Sequence, residues 1–211
     1  DVAGRLTSIT KTINDVTGSK KVIATNAYDE LGQLKTKTLG NSLEMLTYEY
    51  NIRGWLKGIN RSYANGTGTH YFGMELDYDY GFTQSQYNGN IAGERWRTSG
   101  DGERRAYGFT YDPVNRLTKA DFTQYTSSAW STSAGVDYTV SNLAYDANGN
   151  IKTMKQMGLI TTTSGTVDNL AYTYQSSGNS NKLDNVTDVG GTTTALGDFK
   201  DGHTTTGDYV Y

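Results

Sequence analysis

Tyr145-Asp146-Ala147-Asn148-Gly149-Asn150-Ile151 is a heptad that returns along this chain, as Tyr28-Asp29-Glu30-Leu31-Gly32-Gln33-Leu34 and as Tyr111-Asp112-Pro113-Val114-Asn115-Arg116-Leu117, and the three copies align without a gap. Looser copies are Tyr50-Asn51-Ile52-Arg53-Gly54-Trp55-Leu56, Tyr174-Gln175-Ser176-Ser177-Gly178 and, more degraded, Tyr87-Asn88-Gly89-Asn90-Ile91. Asp1-Val2-Ala3-Gly4-Arg5-Leu6 is the same heptad without its tyrosine. The chain stops at Tyr209-Val210-Tyr211, where an aspartate is due next, so both ends are expected to fall inside a repeat of a longer chain. The spacing is irregular, which places the variation in loops, where added length costs little entropy.

Each part of the heptad has a physical role. Ahead of it the pattern alternates: Leu46, Tyr48 and Tyr50 share one face of a strand and Thr47, Glu49 and Asn51 the other. Tyr107, Phe109 and Tyr111, then Leu170, Tyr172 and Tyr174, repeat the arrangement, as do Met74, Leu76, Tyr78 and Tyr80. The aspartate can accept hydrogen bonds from turn amides, and the glycine can take the positive φ that reverses the chain. Asn148-Gly149 predicts a type I′ hairpin turn. The Leu or Ile that starts the return strand is expected to cover the tyrosine row, with the tyrosines as the core. One hairpin alone is marginal in water, so neighbouring hairpins must pair. The fold class expected is all-β, a run of consecutive antiparallel hairpins over residues 1–211 with no second domain.

Composition agrees. Seventeen of 211 residues are Tyr and 25 are Gly, with a single proline, Pro113, so glycine must make most of the turns. Lys and Arg total 19 against 22 Asp and Glu, a net charge of -3 that supplies no overall positive field for nucleic acid or an anionic membrane. There is no cysteine, hence no disulfide or thiolate metal site. No apolar run is long enough to span a bilayer, and the N-terminal residues show no signal-peptide pattern.

Tyr-Asp-x-x-Gly-x-Leu with Tyr-x-Tyr strands before it resembles the RHS/YD-repeat family of bacterial polymorphic toxins, insecticidal toxin complexes and teneurins. The signature positions are Asp1, Gly4 and Leu6; Tyr28, Asp29, Gly32 and Leu34; Tyr50, Gly54 and Leu56; Tyr111, Asp112 and Leu117; Tyr145, Asp146, Gly149 and Ile151; and Tyr174 and Gly178. The resemblance implies a sheet that spirals into a hollow shell, walling off or carrying a C-terminal toxin segment of the same polypeptide. It implies no enzyme activity in the wall, no cofactor and no metal. The implied partner is the rest of the parent polypeptide, with a cell-surface glycan or protein as the rival reading, and the implied location is outside the cell or at its surface. The family's autoprotease motif centres on Asp-Pro-x-Gly. Here the one Asp-Pro, Asp112-Pro113, runs on into Val114-Asn115, an ordinary repeat turn, so self-cleavage is not assigned.

His70 and His203 stand far apart in loop-like surroundings and read as exposed loop histidines. Asp146, Asn148 and Asn150 have the first spacings of a calcium loop, but Ile151 replaces its glycine and Met157 its final acid, which favours a hairpin turn. Asp77 with Asp79, and Asp101 with Glu103, could pair as acid and base in a glycosidase-like enzyme, although such pairs are common on solvated strands. Arg95-Trp96-Arg97 with Arg104-Arg105 is the one basic cluster holding an aromatic; Glu94, Asp101 and Glu103 dilute it, so salt bridging is expected over anion binding. Asn60, Asn65 and Asn185 each begin a glycosylation triplet, which chance supplies freely in an Asn/Thr-rich chain.

Overall fold

The computed structural model describes residues 1–190, 197–200, 207 and 209. The terminal residue Tyr211 and the second histidine, His203, lie outside the described residues. The fold class is all-β and antiparallel, as expected: strands alternate with short turns, and α1 (Arg61–Ala64) is the one α-helix among the described residues. The chain divides into two compact units.

The first unit comprises Asp1–Asp77 and Glu94–Arg104. Its strands are β1 (Ser8–Lys11), β2 (Lys21–Tyr28), β3 (Leu34–Leu39), β4 (Glu44–Tyr50), β5 (Leu56–Ile59), β6 (Phe72–Asp77) and β7 (Gly93–Thr98). Each pairs antiparallel with the next through β6, so chain order is sheet order and every connection is a hairpin or a short excursion. The excursion between β5 and β6 carries α1, whose Tyr63 and Ala64 are buried.

The second unit comprises Tyr78–Gly93 and Arg105–Tyr211. It holds β8 (Arg104–Tyr111), β9 (Leu117–Thr126), β10 (Ala129–Ser131), β11 (Val140–Tyr145), β12 (Ile151–Ile160), β13 (Thr163–Tyr174) and β14 (Leu183–Asp188). Here too neighbours in sequence are antiparallel neighbours in the sheet, except that β10 folds back on the end of β9 while β11 pairs alongside β9.

The register is broken once at the base of each repeat hairpin. Tyr28 pairs with Leu34, Tyr50 with Leu56, Tyr111 with Leu117 and Tyr145 with Ile151, each immediately after a bulge. The extra residue strengthens the local twist, as bulges do. Tyr174 pairs with Leu183 in the same way across a longer turn.

The buried core differs from the sequence expectation. It is made of small and branched residues with a few rings, among them Ala24, Ala106, Ala120, Phe122, Val167 and Val186. The motif tyrosines are half-buried. Their rings lie over the sheet while their hydroxyls find backbone acceptors, a compromise suited to a side chain with an apolar body and a polar tip. Leu31, Ile52 and Val114, at the tips of the turns, stand in solvent.

Candidate functional site

The motif aspartate organises the turn with one oxygen. In the Asp146 copy, Oδ1 accepts the backbone N–H of Asn148 (2.9 Å) and of Asn150 (2.9 Å), while Oδ2 accepts the Asn150 side-chain amide (2.7 Å). The backbone closes the same loop: Asp146 N–H donates to the Asn150 carbonyl at 3.0 Å and Gly149 N–H to the Asp146 carbonyl at 3.2 Å. Asp112 holds Val114, Arg116 and the Arg116 Nε in the same positions, and Asp29 holds Leu31 and Gln33. Asp1 does so with Ala3 and Arg5. Asn51 substitutes its amide oxygen and still accepts Arg53 N–H and Trp55 N–H.

This turn corrects the type I′ expectation. A type I′ turn needs positive φ at both central residues. Here Gly149 has φ 89° and Asn148 is not among the positive-φ residues. Because the Asp146 carboxylate gathers the amides of Asn148 and Asn150, the reversal starts at Asp146 and the single left-handed residue comes at its fourth position. Such a turn with its bulge is the three-residue hairpin type. Gly4, Gly32 and Gly54 occupy the same position at φ 75°, 81° and 77°, and Asn115 takes it at 67° without a glycine. Gln175 has no carboxylate to offer, and its turn is longer: Gln175 N–H donates to the Lys182 carbonyl, with Ser176, Ser177 and Gly178 all at positive φ.

The tyrosine hydroxyls join one copy to the one before. Tyr28 donates to the carbonyl of Leu6 at 2.8 Å and Tyr50 to that of Leu34 at 3.1 Å. In the second unit Tyr111 donates to Ile91 (2.8 Å), Tyr145 to Leu117 (2.7 Å) and Tyr174 to Ile151 (2.9 Å). In every case the acceptor belongs to the last residue of the preceding heptad. The degraded copy at Tyr87 is thus in register: its Ile91 receives Tyr111, Gly89 has φ 102°, and Asn88 Oδ1 accepts Asn90 N–H at 3.0 Å.

The residue before that carbonyl makes a second link. The Arg5 guanidinium sits 4.6 Å over the Tyr28 ring and that of Arg116 4.7 Å over Tyr145. Arg116 also donates to the Asp146 carbonyl at 3.0 Å. Such cation–π contacts contribute about 0.5–1 kcal/mol at exposed sites. The sequence reading assigned these two arginines no role.

Titration follows the geometry. The Asp112 carboxyl is held below its ordinary range by the Arg116 backbone N–H first, against some desolvation, and by the Arg116 guanidinium. For Asp146, desolvation pulls upward and the hydrogen bonds from Asn150, Asn148 and Gly149 outweigh it, leaving the group lowered. Desolvation raises Tyr111 and Tyr145 above the usual phenol value.

Most of the remaining candidates are engaged in structural contacts. Asp77 is fully buried and ion-paired with Arg95, which also lies 3.5 Å from Glu75. Glu75 bonds Arg61 at 2.5 Å and accepts the Asn65 side-chain amide at 2.7 Å, and these bonds outweigh burial to hold its carboxyl below the ordinary range. Arg97 donates to the Gly102 carbonyl and lies 4.6 Å over the Tyr63 ring; Arg104 donates to the Asn65 carbonyl. Arg95, Arg97 and Arg104 of the basic cluster thus face acceptors of the protein itself, with Arg95 ion-paired to Asp77 and Glu75. Asp79 is exposed, and Asp101 accepts Glu103 N–H in a turn. His70, expected to be an exposed loop residue, is only 24% exposed at its side chain and lies 3.0 Å from Glu44 Oε1. Asn60 and Asn185 are buried, and the Asn65 amide donates to Glu75 and to the Arg61 carbonyl, so these acceptor triplets present no free amide to a modifying enzyme. The Asp146, Asn148 and Asn150 trio forms the hairpin turn described above, its carboxylate filled by turn amides.

No helix among the described residues is long and apolar enough to cross a membrane. No family model matches the chain, and no curated protein matches it. Among solved structures, the crystal structure of TcdB2-TccC3 without its hypervariable C-terminal region is similar over 85% of this chain, with a TM-score of 0.57 and 21% sequence identity. The aligned part is 9% of that chain. A structure of TcdB2-TccC3-Cdc42 aligns over 84% of this chain at a TM-score of 0.33 and 14% identity, covering 12% of its own length. The RHS/YD-repeat resemblance carried by the tyrosine-aspartate heptads thus extends to the fold, which this chain shares with the TcdB2-TccC3 toxin complex.

Proposed function

We propose that this chain is a non-enzymatic wall segment of an RHS-repeat shell that encloses or carries another segment of its parent polypeptide, outside the cell or at its surface. The observation that carries this reading is the set of five tyrosine hydroxyls, each donated to the closing carbonyl of the preceding heptad. The motif's tyrosine hydroxyls are directed at neighbouring copies, which is what a wall requires. The shared fold with TcdB2-TccC3 supports it. Stability then comes as a sum of small neighbour-to-neighbour terms, as in other repeat proteins.

The test is protection. In the parent polypeptide, an enclosed segment should resist a protease present in excess until denaturant opens the wall, and then be cut at once. Cleavage of all segments at comparable rates in the folded parent would overturn the proposal. A rival reading, a module that recognises a glycan or a protein on a cell surface, draws on Tyr71, Tyr87 and Trp130, aromatics that stand 59%, 68% and 37% exposed. Glycan-array binding abolished by Trp130→Ala with the fold intact would favour it.

A further inference from the structure

Three carboxylates that no sequence motif links come together in the second unit. Asp168 lies within β13, Asp188 ends β14, and Asp198 belongs to the chain that follows; one oxygen of each lies within 4.8 Å of the other two. The setting is enclosed: Asp168 is 4% exposed and the Asp198 side chain 5%. Protein donors orient each group. Phe199 N–H donates to Asp168 Oδ1 at 2.7 Å, Asn169 and Gly190 N–H donate to Asp188 Oδ1 at 2.9 and 3.3 Å, and Lys200 donates to Asp198 Oδ2 at 2.7 Å.

Two facts show that this is more than a cluster of acids. The first is that the ammonium paired to the cluster through Asp198 sits on a Lys200 side chain that is 68% exposed, where water screens it. The second is specific: Asp198 Oδ1 is buried and accepts no hydrogen bond. A buried carboxylate oxygen left without a donor is costly, and a cation bound there removes the cost.

We propose that Asp168, Asp188 and Asp198 form a calcium site. The donor set is carboxylate oxygen alone, which selects hard cations over zinc or copper. Calcium accepts six to eight oxygens at about 2.3–2.6 Å in loose geometry, so opposite ligands stand about 5 Å apart, whereas magnesium demands a smaller, near-octahedral shell. Oxygens from a strand, a strand end and a following segment, all within 4.8 Å of one another, come from three separate pieces of chain, an arrangement that suits the ion with the looser geometry. Its effect would be to tie the chain at Asp198 to β13 and β14 and to make that attachment dependent on external calcium.

The experiment measures calcium binding to the 211-residue chain by equilibrium dialysis in 150 mM sodium chloride, alongside melting temperature in EDTA and in calcium. One calcium per chain is expected, with a higher melting temperature in calcium than in an equal concentration of magnesium. Asp198→Asn should weaken binding by about tenfold or more and remove most of the calcium-dependent shift. Lys200→Gln keeps every ligand and removes a competing cation, so it should bind calcium several-fold more tightly, and it serves if Asp198→Asn does not fold. Absence of binding at millimolar calcium, equal affinity in Asp198→Asn and the unchanged chain, weaker binding in Lys200→Gln, or a preference for magnesium would each overturn the assignment.

Discussion

The hairpin closed by Asp146 and the segment around α1 solve the same problem, reversing the chain beside a sheet, by opposite means. The hairpin uses local, repeated and mostly neutral contacts: one carboxylate gathers turn amides, one glycine takes positive φ, and one hydroxyl reaches the previous copy. The α1 segment occurs once and is held by charge in the interior, where Arg61, Glu75, Asp77 and Arg95 form a connected network with Asp77 wholly enclosed. Repetition spreads stability over many weak terms, so losing one copy's contact is tolerable. The ionic segment concentrates it, and removal of one partner leaves a buried charge uncompensated.

The largest effect should therefore come from the ionic segment. Arg95→Met leaves Asp77 and Glu75 without their shared cation and is expected to destabilise the protein by about 3–5 kcal/mol in urea unfolding, a loss partly recovered when Asp77→Leu is added. A cost below about 1 kcal/mol would place these charges outside the stabilising network.

Two glycines separate the regions further. A Cβ at Gly73 would lie 2.6 Å from the Asn60 carbonyl oxygen and 2.8 Å from Ala64 N, both backbone atoms that cannot swing away. Gly73→Ala should cost about 1–3 kcal/mol by overpacking. At Gly149 a Cβ would meet nothing within 4 Å, yet φ is 89°. Gly149→Val should cost about 1 kcal/mol or more through backbone strain alone, and Gly149→Asn less, since Asn115 already occupies the equivalent place. An unchanged melting temperature in Gly149→Val would disprove the turn geometry.

Tyr145→Phe removes one link between copies. About 1 kcal/mol is expected by denaturant titration, with a similar figure for Tyr174→Phe and near-additivity in the double variant if each link acts alone. The smallest effect lies in pH. Asp112 and Asp146 have lowered values in the folded state, so their contribution is complete above the unfolded aspartate value and is lost as pH falls toward the folded values. Asp146→Asn should lose that charge-dependent part near pH 7, a small loss because the Asn51 amide oxygen holds the same turn elsewhere, and should flatten the acid limb of a melting curve taken against pH. An acid limb of unchanged slope would remove Asp146 from the linkage.

Much of the fold was legible because the heptad is a local object: tyrosine, aspartate, glycine and leucine act within a few residues of one another, and alternation before them marks the strands. The turn type was misread at Asn148-Gly149 because the dipeptide preference was applied without the Asp146 side chain, which shifts the reversal by competing for the amides. The hydroxyl links were hidden for another reason. Their acceptors are backbone carbonyls 16 to 28 residues earlier, and a carbonyl leaves no signature in side-chain identity. The same distance conceals the Asp168, Asp188 and Asp198 cluster, whose members occupy a strand, a strand end and a later segment. His70 looked exposed because loop composition says nothing of Glu44, which β4 brings to it.

The choice of a backbone carbonyl as the acceptor has a consequence for how such a chain can change over generations. Every residue type carries that carbonyl, so Leu6, Ile91 and Ile151 serve equally, and the tyrosine that reaches back places no demand on its neighbour's identity. A copy duplicated, deleted or exchanged arrives with both halves of the joint already made: a hydroxyl for the copy before it and a carbonyl for the copy after. Lengthening needs no paired substitutions, and copies can diverge as far as Tyr87-Asn88-Gly89-Asn90-Ile91 has without losing their place in the row.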